Sequence, residues 1–259
     1  SREPLHRTSM FAGAPESATA FVGGDENRLV MTALESLLFA KRATVPATEA
    51  RAPQTPAPTL ASTAWPFNPL VLCGRSGIGK SLLARCLLSH WERAAHPTGP
   101  PPSGPSTSQS INQPRFYTGD DWAREYVTAV RDDKIGAWRD ECRATSFFVL
   151  DDVPQLVRQL TAQRELVLLL DDLLNDGIPI ILTLPIDPIA CDGLLPGLAS
   201  RLSGGLLLKL QPPGPHARQR IIGQITQSFP RNITVDAQRW FAEQISGSVP
   251  TLQQALLGC

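Results

Sequence analysis

This chain of 259 residues has no excess charge: Lys plus Arg and Asp plus Glu number 24 each. No global basic surplus points to nucleic acid, and any such binding has to rest on a local patch. Thiols are few. The five cysteines (Cys73, Cys86, Cys142, Cys191, Cys259) show no CxxC pair and no Cys/His ligand spacing, which argues against a zinc site and a disulfide framework. They read as small buried residues of a reducing compartment, so a cytoplasmic location is expected. No apolar run approaches the roughly 20 residues that span a bilayer, and "SREPLHRTSMFAGAPESA" lacks the apolar core of a signal peptide. A membrane is therefore not an expected partner. The tryptophans Trp65, Trp91, Trp122, Trp138 and Trp240 have no spacing suited to stacking on successive bases. Most read as core or half-buried helix-face residues.

Proline, by contrast, is abundant, and it concentrates in two stretches. Residues 43–66 and 94–114 are rich in Pro, Ala, Ser and Thr and poor in large aliphatics, a composition that cannot offset its own ordering entropy. Both read as mobile insertions, and residues 1–19 as a disordered N-terminal segment. Between them strands alternate with helices: short apolar runs at 70–73, 115–119, 146–152, 178–185 and 205–210, and helical periodicity at 25–41, from about Gly79, over 120–143 with a break near Asp132–Asp133, and over 164–177. That order predicts an α/β fold with a five-stranded parallel sheet covered on both faces, over about 20–212. From 213 to 259 the pattern is all helical (215–227, 234–246, 249–257) and predicts a small second domain.

"GRSGIGKS" at 74–81 satisfies G-x-x-x-x-G-K-[ST] between an apolar run and a helix. Gly74, Gly77 and Gly79 let successive backbone N–H groups curl round a phosphate, Lys80 reaches the β- and γ-phosphates, and the Ser81 hydroxyl binds Mg²⁺. The following helix aims its positive end at the anion. "FFVLDD" ends a hydrophobic strand on Asp151 and Asp152. There one carboxylate, Asp151, can hold the magnesium ion and its neighbour can orient an attacking water. Together these motifs predict a nucleoside-triphosphatase fold.

The order of motifs resembles the ATPase core of the DnaA family, the AAA+ replication initiators, and its shorter paralogues. "AFVGGDENRLV" (20–30) is similar to the family's nucleotide-base box, with Phe21, Val22, Gly24 and Asn27 at matching positions. "NPLVLCGRSGIGKS" (68–81), the stretch 116–153, "NDGIPIILTLPIDP" and residues 193–218 follow in family order. The resemblance implies ATP or ADP with Mg²⁺ as cofactor, a helical lid, and Arg201 in "ASRL" as an arginine finger that touches a neighbouring subunit's γ-phosphate. It also implies self-association, or docking on a DnaA-type initiator, through the AAA+ interface, and a slow ATPase with Lys80, Asp151, Asp152 and Arg201 as its catalytic set.

Several positions depart from the pattern. Leu184-Pro185 stands where the family has a sensor I acid, with Thr183 the nearby polar substitute. Pro250 replaces the sensor II arginine, and Gly197 stands where many members have a second arginine. Gln159 and Thr161 fall where the single-strand channel is basic, with Arg158 and Arg164 the nearby cations. Single-stranded DNA is thus a weakly supported partner, and no duplex-reading helix-turn-helix is expected within these residues. Two functional readings result: an ATP-assembled initiator module, and a regulatory protein that docks on an initiator with little or no hydrolysis. A helicase-loader or transposase-helper ATPase shares the core but not the base box.

Overall fold

A computed structural model describes residues 10–11, 20–39, 67–95, 113–227 and 233–257. The bulk of the two Pro-rich stretches, nearly all of 1–19, Trp65 and Cys259 lie outside the described residues.

In chain order the elements are β1 (Met10–Phe11), β2 (Phe21–Val22), α1 (Arg28–Phe39), β3 (Leu70–Cys73), α2 (Lys80–Ala95), β4 (Gln113–Thr118), α3 (Gly119–Arg131), α4 (Ile135–Arg143), β5 (Thr145–Asp151), α5 (Leu160–Asn175), β6 (Ile180–Leu184), α6 (Pro196–Ser203), β7 (Leu206–Lys209), α7 (Pro215–Thr226), α8 (Val235–Gln244) and α9 (Val249–Leu257). Strands β4-β5-β6-β3-β7, in that spatial order, form a parallel sheet, as predicted. From β3 the chain crosses to the far edge at β4, returns through β5 to β6 beside β3, and crosses over once more to β7. The C-terminal ends of β3, β5 and β6 are therefore neighbours, and this edge is where an open parallel sheet binds ligands.

Strands β3, β5 and β6 consist almost wholly of buried aliphatics and phenylalanines, because both faces are covered. One face packs Phe148, Leu150 and Leu182 against Trp122, Leu166 and Leu170; the other packs Leu72, Phe147 and Ile181 against Leu83, Leu87 and Leu34. Asn68 staples two strand entries: its amide donates to the Ile178 carbonyl at 2.7 Å and accepts from the Ile180 N–H at 3.0 Å. The described cysteines are all buried. Trp122 is fully buried and Trp138 nearly so, whereas Trp240 is 56% exposed on α8.

Local signals set the helix ends. Thr118 caps α3 by accepting from the Asp121 N–H (3.1 Å) while its hydroxyl donates to the Asp121 carboxylate (2.7 Å). Helix α5 stops at Gly177 (φ 69°), where Ile178 N–H donates to Leu173 O and Gly177 N–H to Leu174 O, the paired bonds of a left-handed C-terminal turn.

Four differences from the sequence expectations have physical reasons. Met10–Phe11, inside the segment read as disordered, pairs antiparallel with Phe21–Val22; a compositional average over 19 residues misses a two-residue ladder. The helix expected over 25–41 opens as a 3-10 turn, Asp25–Asn27, before α1. Helix α5 begins four residues early because Gln163, polar yet fully buried, is satisfied by Leu156 O (2.9 Å), Gly193 O (3.1 Å) and Leu195 N–H (2.7 Å). Its polarity hides the helical period. Helix α6, eight residues opened by Pro196, is too short to show a period at all.

After β7 the chain leaves the sheet, and α7, α8 and α9 surround a small core of their own: Ile222, Ala242, Leu252 and Leu256, with Ile221, Ile225 and Phe241 against it.

Candidate nucleotide site

The loop between β3 and α2 folds as its glycines allow. Gly77 (φ 76°) and Gly79 (φ 102°) lie in backbone regions that L side chains rarely adopt. A Cβ on Gly79 would stand 3.0 Å from the Phe21 ring, and one on Gly77 would stand 2.7 Å from the Ser248 Cβ. Lys80 curls back over the loop, donating to the carbonyls of Gly74 (2.7 Å) and Arg75 (2.9 Å). Burial pushes its ammonium below the usual lysine value, and Asp152 and Asp151 pull it back up. Cys73, the last residue of β3, is a buried thiol raised to about 11, by burial first and by Asp187 second.

Beside the loop, a chain of hydrogen bonds runs from the first turn of α2 across the ends of β5 and β6. The Ser81 hydroxyl donates to Asp151 Oδ1 at 2.9 Å, and the Thr183 hydroxyl donates to the same oxygen at 2.6 Å. Thr183 in turn accepts from the Asp152 N–H at 2.8 Å. Thr183 of β6 is thus buried and bonded both to the Asp151 carboxylate and to the Asp152 N–H. Asp151 is buried at the end of β5, while Asp152 sits just past it, exposed and left-handed (φ 55°, ψ 57°). The two adjacent acids therefore stand in different environments.

Phe21, Val22, Ile78 and Leu82 form one side of a narrow apolar crevice, whose other side is Ile221 and Ile225 of α7 and Val249 of α9. Asn27 borders it but turns its amide to the connection between β7 and α7: Nδ2 donates to Gln211 O (3.0 Å) and Oδ1 accepts from Gln211 N–H (2.8 Å). The C-terminal helices also touch the phosphate loop directly. Val249 N–H, at the start of α9, donates to Gly77 O at 2.9 Å. Pro250 follows in the first turn of α9, with its Cδ beside Gly77.

Arg201 lies away from this cluster. On α6, it grips Asp171 of α5 through two bonds and also donates to Gly197 O at 2.9 Å. Arg158 and Arg164 are both exposed. The structure thus brings together Gly74, Gly77, Gly79, Lys80, Ser81, Asp151 and Asp152 around the loop, with Phe21, Val22 and Asn27 at the crevice, and leaves Arg201 apart. Sequence reasoning missed Gln155, Gln211 and Asp171. Each makes a contact across 30 or more residues that no local pattern announces.

The residues fit a nucleoside triphosphate: a glycine loop without side-chain obstruction, an ammonium at its centre, and a hydroxyl–carboxylate pair of the type that holds a divalent cation. The sheet order, this loop and the paired strand-end acids define a P-loop NTPase of the AAA+ class.

Within that class the likeness is specific. Residues 104–209 match the model of the bacterial DnaA ATPase domain. The chromosomal replication initiator protein DnaA of Sphingopyxis alaskensis is 30% identical over 191 residues, 73% of this chain and 39% of the relative. Among solved structures, domain III of the Thermotoga maritima replication initiation protein DnaA superposes with a TM-score of 0.67 at 20% identity, over 92% of this chain and 84% of that one. AMPPCP-bound DnaA from Aquifex aeolicus gives 0.65 at 20% identity, over 92% and 62%. These structural likenesses show the fold. The chain carries a DnaA-like AAA+ ATPase core and spans 39% of the length of the first curated relatives it matches.

Proposed function

We propose that this chain is the ATP-binding module of a DnaA-type replication initiator, acting in initiation of DNA replication or its control through ATP-dependent self-assembly. The observation that carries the reading is the bonded run Ser81–Asp151–Thr183–Asp152, which ties the end of the phosphate loop to the ends of β5 and β6.

A bound nucleotide would supply a phosphoanhydride, and a Mg²⁺ ion bound with it would supply positive charge to offset that of the phosphates. Gly74, Gly77 and Gly79 present backbone N–H groups to the phosphates. Lys80 exchanges its two loop carbonyls for phosphate oxygens, which favours the charged ammonium that burial alone disfavours. Ser81 and Asp151, already 2.9 Å apart, hold the cation. Asp152, exposed beside them, orients a water for slow hydrolysis. Phe21 and Val22 take the base in the crevice, and Asn27 fixes its lid-side wall. Arg201 is the residue offered to a neighbouring subunit.

A second reading has its own observation. Where the resemblance implies a lid arginine, Pro250 lies against Gly77, and proline offers no cation to a γ-phosphate. That favours a regulatory protein with weak hydrolysis that docks on an initiator. Sedimentation velocity with Mg·ATP, with Mg·ADP and without nucleotide separates the two. Larger species with ATP alone, lost in Arg201→Ala, support the self-assembling module. A monomer in all three, with nucleotide co-sedimenting, overturns self-assembly and leaves the docking protein.

A further inference from the structure

Asp152 is an unusual residue on which to hang water activation. It is exposed, it lies one position beyond the end of β5, and its backbone is left-handed, a conformation that non-glycine residues seldom take. A carboxylate on such a residue samples several rotamers unless something holds it. The described structure shows what holds it. Gln155, in the 3-10 turn Val153–Leu156, donates from Nε2 to Asp152 Oδ2 at 2.9 Å. The other end of the same amide accepts at Oε1 from the Asp120 N–H at 2.8 Å, an N–H of the first turn of α3 that has no partner within its own helix. The Gln155 N–H also returns to Asp152 O at 3.0 Å. Packing is close: a Cβ on Gly119 would stand 2.8 Å from Asp152 O and 2.9 Å from Gln155 Cβ.

We propose that Gln155 is a positioning residue for Asp152: anchored on the α3 N-terminus, its amide fixes one carboxylate oxygen and so aims the other at the phosphate loop. This rests on the ATPase reading above. Asp152 is fixed twice, at its N–H by Thr183 and at its carboxylate by Gln155, so its direction is set jointly by β6 and α3. Displacement of α3 would then alter turnover without touching the nucleotide.

Two variants separate positioning from architecture. Gln155→Glu keeps the length and the acceptor for Asp120 N–H, and loses the donor to Asp152. Gln155→Leu loses both. Steady-state ATP hydrolysis and equilibrium binding of a non-hydrolysable ATP analogue are measured on the full chain, with melting temperatures alongside. The expected result is a fall in kcat of about tenfold or more in both variants, since small misplacement of a reacting group is costly. KM and analogue affinity stay within about twofold of the parent, and Gln155→Glu melts close to it. Unchanged kcat in both variants overturns the positioning role alone. Equal losses in kcat and affinity overturn it too, because they mark a general structural role. Absence of hydrolysis in the parent protein, with analogue binding intact, overturns the ATPase reading and this inference with it.

Discussion

Arg201 and Asp171 meet in two parallel bonds, Nε to Oδ1 and Nη2 to Oδ2, both at 2.6 Å, so that the arginine implied to act between subunits is already held within its own. Each partner stabilises the other's charge. Hydrogen bonding to Arg201 holds the Asp171 carboxyl below its usual range, and Asp171 raises the guanidinium. Both side chains are partly exposed (31% and 41%), so the pair is worth about 1 kcal/mol or less. A clamp this weak can be exchanged for a stronger anion on a second subunit.

Asp171→Asn should therefore lower the protein concentration at which Mg·ATP drives self-association, at a stability cost of about 1 kcal/mol or less, while Arg201→Ala should raise that concentration. Sedimentation equilibrium of the three proteins checks this. Association of Asp171→Asn equal to or weaker than the parent's would count against the clamp.

The same pair sets a pH dependence of known sign. Because the folded Asp171 pKa is depressed, its contribution is fully present above the ordinary aspartate value of about 3.9 and is lost as pH falls through the lower folded value. Urea unfolding of parent and Asp171→Asn should differ at neutral pH and converge in strong acid. A gap that widens in acid would reverse the argument.

Asn27→Ala removes two hydrogen bonds that join the N-terminal turn to the core–lid connection and strands the Gln211 N–H and C=O. With Asn27 only 3% exposed, the expected loss is about 1–3 kcal/mol, together with weaker adenine-nucleotide affinity as the crevice wall loosens. Denaturant titration and nucleotide binding test the two parts separately.

Gly77→Ala should impair the lid as well as the loop. The left-handed backbone costs about 1 kcal/mol or more for an L side chain, and the new Cβ meets Ser248, one residue before the Val249 N–H that bonds Gly77 O. Proteolysis at the lid should rise in this variant, with the sheet's unfolding midpoint little changed.

The buried thiols give a probe of the core. Cys142 is pushed up to about 12, first by burial, and Cys73 to about 11. Both should resist maleimide in the native state at pH 8 and react in denaturant. Rapid native labelling of either would show that the core opens.

Much of this was legible in the sequence because the relevant signals are local. The phosphate loop is a contiguous motif, the Asp151–Asp152 pair ends an apolar strand, and the alternation of runs gave the parallel sheet. What was not legible depends on contacts between distant segments. Asp171 reads as a helix acid until α6 brings Arg201 against it, and no local pattern announces that Asn27 bonds Gln211, 184 positions on. Gln163 misled the reading of α5 because its partners come from two loops rather than from solvent.

Nucleotide binding at the loop 74–81 underlies every role proposed above, and equilibrium titration of Mg·ATP into the parent chain and into Lys80→Ala decides it. Saturable binding at one site per chain, lost in Lys80→Ala while the fold is retained, is the predicted result. No saturable binding in the parent, or equal affinity in the two proteins, would overturn a phosphate-binding role for this loop.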